Sequence, residues 1–266
     1  MPNNRTVAKI AEIFFASGIP IVAAARCGES YRDFLIGMPF LLAVIFAGGW
    51  HIKTVNDEFE SKGGNIKISK GIIIPLAAIL MLIFMKPSIA LPIVLIIISW
   101  NFYSLFGKNY FILSMMCNFL GGFLHFVLGM MAAGSSFVHA INSPESSFFG
   151  FAMLCGSMHH DSYHAEADRS KGFETGAVRF GPELWWQLAI SPMLISMFFL
   201  TNCEDLFMKI FLALGVFPYF IGYFGVLIFA DHPSKKTFFR PFCRTSFGLA
   251  AVGYIFTKIF LNTSWH

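Results

Sequence analysis

Long apolar runs constrain this chain more than any other feature. Nine of them extend roughly from Ile10 to Cys27, Phe34 to Val55, Gly71 to Met85, Ile89 to Phe106, Tyr110 to Ala133, Ser147 to His160, Leu184 to Leu200, Leu206 to Ala230 and Phe242 to Leu261. A helix needs about 20 mostly apolar residues to cross the hydrocarbon core of a bilayer. The third and sixth runs are short by that measure. A soluble domain could not hide so much apolar surface in a core of this size. Charged residues are only 13% of the chain, against about 25% in an ordinary soluble domain. The expected fold is therefore all-α: a polytopic membrane protein of about nine transmembrane helices, forming one domain over residues 1–266. Pro20, Pro75, Pro92, Pro192 and Pro218 fall inside runs. Membrane helices tolerate this where neighbours or water satisfy the freed backbone groups.

Other classes are disfavoured. Cys27, Cys117, Cys155, Cys203 and Cys243 are scattered without a CxxC pair, which argues against a disulfide framework or zinc ribbon. Lys and Arg form no stripe of the kind nucleic acid requires. The first run is long for a signal segment and lacks a cleavage site, so it reads as a membrane helix. No obligate protein partner is evident.

Loop charge sets the expected orientation. With the N-terminus inside, only Arg26, Arg32, Lys86, Lys209 and Lys258 of the 19 Lys and Arg fall outside. The N-terminus and the loops after the even-numbered helices are expected to be cytoplasmic, in the inner or plasma membrane if the source is a bacterium.

Almost half of the 15 acidic residues lie in two stretches at that face: Asp57, Glu58 and Glu60, then Asp161, Glu166, Asp168 and Glu174. Ionisable groups at a membrane boundary are costly unless paired, hydrated or metal-bound, which marks them as functional candidates. Asp57 and Glu60 are three apart and share a helix face. Asp161, His164 and Asp168 fall at i, i+3 and i+7 and form another. Asn56 adds a neutral oxygen beside Asp57. Such sets suit a hard divalent cation: Mg²⁺ takes one or two carboxylates plus substrate phosphate oxygens and neutralises a diphosphate leaving group. Lys108, Arg169 and Lys171 are nearby cations that could share that task.

These stretches resemble the signatures of the UbiA superfamily of intramembrane prenyltransferases. The first, N-D-x-x-D-x-x-x-D, reads N-D-E-F-E-S-K-G-G from Asn56 to Gly64. The second, D-x-E-x-D-R-x-x-G-x-x-T with a V-x-x-G tail, reads H-A-E-A-D-R-S-K-G-F-E-T-G-A-V-R-F-G from His164 to Gly181. Tyr103 and Lys108 match a Tyr and Lys that the family carries after its fourth helix. Glu60 replaces an Asp, Gly64 replaces the third acid of the first signature, and His164 replaces the first acid of the second, with Asp161 one turn earlier. The resemblance implies a UbiA-like bundle whose active site is on the cytoplasmic side. Asp57, Asp161 and Asp168 would be its catalytic residues. Asn56, Asp57, Glu60, Asp161, His164 and Asp168 would hold Mg²⁺. Lys108, Tyr103, Arg169 and Lys171 would bind the diphosphate. The implied reaction moves an isoprenoid chain from a prenyl diphosphate to a small, aromatic or otherwise nucleophilic acceptor. A UbiA-type terpene cyclase, which needs no acceptor, is the alternative. A membrane transporter is a third reading, disfavoured because the runs show no buried mid-span charge.

Two further features carry less weight. His159, His160 and His164 form an H-H-x-x-x-H run, but the other histidines are isolated, unlike the several boxes of a membrane di-iron enzyme. The Asp231–Lys236 turn reads as a solvated loop.

Overall fold

The structure, a computed structural model, describes residues 4–28, 31–61, 69–229 and 233–260. The described residues are helical with short connections, and no strand occurs among them. In order the helices are α1 Asn4–Cys27, α2 Tyr31–Ser61, α3 Lys70–Met85, α4 Ala90–Leu105, α5 Phe111–Ala132, α6 Phe137–Asn142, α7 Pro144–Ser170, α8 Gly176–Phe180, α9 Pro182–Leu188, α10 Ile190–Thr201, α11 Leu206–Phe229 and α12 Pro233–Phe260. Gly64, Asp231 and His232 of the motifs above lie outside the described residues.

Five segments are long and apolar enough to span a membrane: Phe34–Phe59, Pro87–Leu105, Phe111–Ala132, Pro182–Thr201 and Leu206–Ile228. Gly18–Cys27 and Lys70–Met85 are apolar but shorter. Among the described residues, five full-length segments and two short ones stand against the nine expected spans. The sixth expected run looked short because α7 changes character along its length. Its first half is apolar and its second half, from His159 to Ser170, is polar, yet it is one helix of 27 residues. α2 behaves in the same way and runs unbroken through Asn56 and Asp57 to Ser61. The helical spacing expected of both acidic stretches is therefore present. The apolar spans make this an integral membrane protein.

Local chemistry sets the helix ends. Lys86 precedes Pro87 and is pushed out of helical geometry, to φ −141° and ψ 82°, because a following proline disfavours it. That ends α3, and Pro87 opens the short turn that leads into α4. At the far end of α7, Gly172 takes φ +78°, which only glycine adopts without strain. The chain turns there, and the Asp168 carbonyl accepts from the amides of Lys171 and Phe173.

α5 packs against α1, α4 and α7, α10 against α7, and α11 against α12. Small residues allow the closest of these approaches. A Cβ on Gly129 would lie 2.1 Å from the Pro20 carbonyl oxygen, and one on Gly122 would lie 2.1 Å from that of Phe149. α12 also returns to α1, so the first and last helices meet.

Charge reinforces that meeting. Arg26 Nε lies 3.6 Å from Glu145 and 3.6 Å from Asp205, and Lys258 Nζ lies 3.3 Å from Asp205. The Tyr254 hydroxyl donates to Asp205 at 2.9 Å, and the Ser143 hydroxyl donates to Glu145. Glu145 and Lys258 are each 3% exposed. These buried charges sit at helix ends, not in mid-span. The cluster gathers four charged residues from α1, α7, α12 and the start of α11. Glu145 and Asp168 sit at opposite ends of α7, separated by roughly 35 Å at about 1.5 Å per residue. Burial pushes the Asp205 carboxyl up. The Met208 amide, the Tyr254 hydroxyl, Lys258 and Arg26 outweigh it and hold the group below its ordinary value of 3.8. A carboxyl with a depressed folded-state pKa contributes stability that is complete above the ordinary value. The contribution is lost as pH falls from there through the depressed one. Detergent-solubilised protein is therefore expected to lose thermal stability below pH 4, and Asp205→Asn should flatten that loss.

Candidate active site

At the end opposite the ionic cluster, three polar segments converge. Asn56 and Asp57 occupy the last turns of α2, which ends at Ser61. Lys108 sits in the short turn Gly107–Asn109 between α4 and α5. Asp161 and Asp168 lie seven residues apart on α7, on one face.

Lys108 joins them. Its ammonium donates to Asn56 Oδ1 at 3.1 Å. It stands 5.3 Å from the ring centroid of Phe173 and 5.8 Å from that of Tyr103, within the range where an aromatic face attracts a cation. The Lys108 backbone carbonyl accepts from the Glu174 amide at 3.1 Å. The turn after α4 is thereby tied to the loop after α7, and the ammonium is bracketed by an amide oxygen and two rings. Tyr103, half-buried, stands near Ser114 and Asn118 of α5, and the charges of Asp161 and Asp168 bear on it. Asn118 is steadied by its own bond to the Ser114 carbonyl, at 2.8 Å. Asp161 is buried and Asp168 half-buried.

The expected site residues separate on this geometry. Lys108 contacts both Asn56 and Tyr103, and Asp161 and Asp168 of α7 lie near enough for their charges to bear on Tyr103. Asp57 is adjacent and exposed. Glu60 lies in α2, and its side chain is outside the described residues. His164 is exposed and packs its ring against His160, with centroids 4.3 Å apart. Arg169 and Lys171 are exposed at the end of α7. The three histidines of the H-H-x-x-x-H run do not converge. His159 is buried on another face, bonded to the Tyr219 hydroxyl at 3.1 Å and packed against Trp186 and Phe239.

Three contributors escaped the sequence reading: Phe173, Ser114 and Asn118. Ser114 and Asn118 stand four apart in an otherwise apolar run, and that pairing was the available signal. Phe173 had none, since its role depends on the turn at Gly172.

Among the described residues no three His, Cys, Asp or Glu side chains draw close enough to hold a metal ion unaided. The donors suit the other mode. Aspartates on α2 and α7 and the Asn56 amide are hard oxygen ligands, and Mg²⁺ often takes one or two carboxylates and completes its shell with phosphate oxygens and water.

The fold matches solved structures over nearly its whole length. A UbiA homologue from Archaeoglobus fulgidus bound to GPP and Mg²⁺ superposes with a TM-score of 0.64 at 16% identity, covering 92% of this chain and 97% of that one. A UbiA homologue from the same organism bound to DMAPP and Mg²⁺ gives 0.64 at 14% identity, covering 92% and 96%. A structure concerning digeranylgeranylglyceryl phosphate synthase gives 0.62 at 15% identity, covering 92% and 93%. No family model matches the sequence, and no curated protein does. The chain thus has the UbiA fold, carried on a divergent sequence.

Proposed function

We propose that the protein is an intramembrane prenyltransferase that takes an isoprenoid chain from a prenyl diphosphate and joins it to a small acceptor, an aromatic one fitting best. The observation that carries this reading is Lys108. It is held between Asn56, Tyr103 and Phe173, while Tyr103 lies within reach of the charges of Asp161 and Asp168. A fixed cation beside separated carboxylates suits a diphosphate. The ammonium binds phosphate oxygens directly, and Asp57, Asp161 and Asp168, with Asn56 assisting, would hold Mg²⁺. That ion, when bound, neutralises the leaving diphosphate. The UbiA-fold neighbours bound to GPP or DMAPP with Mg²⁺ support the same donor class. In the step itself, the bond between prenyl C1 and the diphosphate oxygen breaks and its electron pair leaves with the diphosphate. Tyr103 and Phe173 present ring faces beside Lys108, where positive charge is favoured. The acceptor's nucleophilic atom bonds to C1 and gives up a proton. The loop-charge bias supports a cytoplasmic orientation for this face.

Purified protein with geranyl, farnesyl or geranylgeranyl diphosphate and Mg²⁺ tests the reading. Diphosphate release is measured with and without aromatic acceptors, and the organic extract is analysed. An acceptor-dependent adduct is expected. A cyclic hydrocarbon formed without acceptor would reassign the protein as a cyclase, and no diphosphate release with any donor would reject both.

A further inference from the structure

Beside the active-site loop, on its outer side, lies a pocket of about 370 Å³ lined by Glu174, Val178 and Arg179. One lining residue, Arg179, packs on an aromatic cluster. Arg179 stacks its guanidinium 5.2 Å from the Phe111 ring and 5.8 Å from Phe180. Phe111 meets Phe180 edge-on at 5.1 Å, and Phe180 stacks on Trp185 at 5.7 Å. Trp185 is fixed in turn by α8. A Cβ on Gly176 would fall 2.2 Å from the indole, so the chain passes the ring only as glycine.

Height in the membrane identifies the occupant. Phe111 is the first residue of one span, and Arg179 lies three residues before another that begins at Pro182. The pocket therefore opens at the level of the lipid headgroups, where aromatic and basic side chains collect. Its charges are of both signs. Glu174 and Arg179 are exposed, and among the described residues neither side chain is in an ion pair or a hydrogen bond. Five apart on the chain, they are not a helix-surface pair. A purely anionic headgroup would meet the Glu174 carboxylate. A zwitterionic headgroup satisfies both groups. Its phosphate takes the flat guanidinium edge that ring stacking leaves free, and its primary ammonium takes the carboxylate.

We propose that this pocket, formed by Glu174, Val178 and an Arg179 packed on Phe111 and Phe180, binds the headgroup of a zwitterionic aminophospholipid of the phosphatidylethanolamine class. The site would hold a structural lipid against the loop that carries Phe173 and Glu174. It does not depend on the prenyl-transfer reading.

The test uses the full chain, delipidated in detergent and titrated with dioleoyl phosphatidylethanolamine, phosphatidylcholine or phosphatidylglycerol. Bound lipid is counted by native mass spectrometry, with thermal unfolding as a second measure. Phosphatidylethanolamine is expected to bind wild type at least about tenfold more tightly than phosphatidylglycerol, and to raise its unfolding midpoint. Arg179→Gln should weaken it about tenfold or more, since charge-assisted bonds to phosphate are the strong ones, whereas Arg179→Lys should retain part of the binding. Glu174→Gln should erase the preference over phosphatidylglycerol. Equal binding of the lipids by wild type would overturn the proposal, and so would unchanged binding in Arg179→Gln or tighter binding of phosphatidylglycerol. Geranyl diphosphate binding, measured in the same preparations, reports separately on the catalytic reading.

Discussion

Asp161→Asn is expected to lower kcat/KM for diphosphate release by about 10²–10³-fold, the usual scale when one preorganised charge-stabilising group is removed from an active site. Asp161 is 5% exposed, and its charge bears on Tyr103, whose ring lies 5.8 Å from Lys108 Nζ. The substitution keeps the side chain's size and removes only its charge, so expression and elution from a sizing column should match wild type. Asp57→Ala and Asp168→Ala should fall in the same direction. Steady-state diphosphate release across a Mg²⁺ series decides the matter. Turnover like wild type in Asp161→Asn would sink the metal-ligand assignment, because a buried carboxylate with no part in the chemistry would leave the rate unchanged.

The second large effect lies at the opposite end of the bundle. Lys258→Met should destabilise the protein by about 3–5 kcal/mol, the cost of stranding a buried partner charge. Lys258 sits 3.3 Å from Asp205 and is almost wholly buried. Removing it leaves Asp205 with Tyr254 and the more distant Arg26. The double variant Lys258→Met/Asp205→Asn should recover part of the loss, since neighbours in one network are not additive. Unfolding of the three proteins in one detergent measures this. A loss under about 1 kcal/mol in the single variant would mean that water reaches the junction and the pair is worth no more than a surface one.

The two ends of the molecule differed in how well the sequence revealed them. The candidate-site end was legible because α2 and α7 carry their acids at helical spacing, and helical spacing survives whatever the tertiary arrangement. Lys108 was legible as a cation near a span end, but its bracketing by Phe173 was not, because that contact needs the Gly172 turn to fold the loop back. His164 shows a local contact that spacing does not reveal. His164 is exposed and meets His160, its neighbour one turn earlier. The ionic cluster was the largest omission. Arg26, Glu145, Asp205 and Lys258 are far apart in the chain, each at a helix end where it reads as an ordinary boundary charge. Only the exception that Arg26 made to the loop-charge bias hinted at them. Periodicity was silent on the lipid-facing surface, since spans such as α3 are apolar on every face.

The junction of the first and last helices also bears on how the chain is made. Arg26 emerges early in synthesis, and Glu145 and Asp205 follow, so a nascent chain that stops before α12 holds two carboxylates against one guanidinium at the edge of a bilayer. The ammonium that balances them arrives only with Lys258, in α12. A chain truncated before Lys258 therefore keeps an uncompensated negative charge in a buried junction, and incomplete synthesis is marked in the electrostatics of the molecule itself.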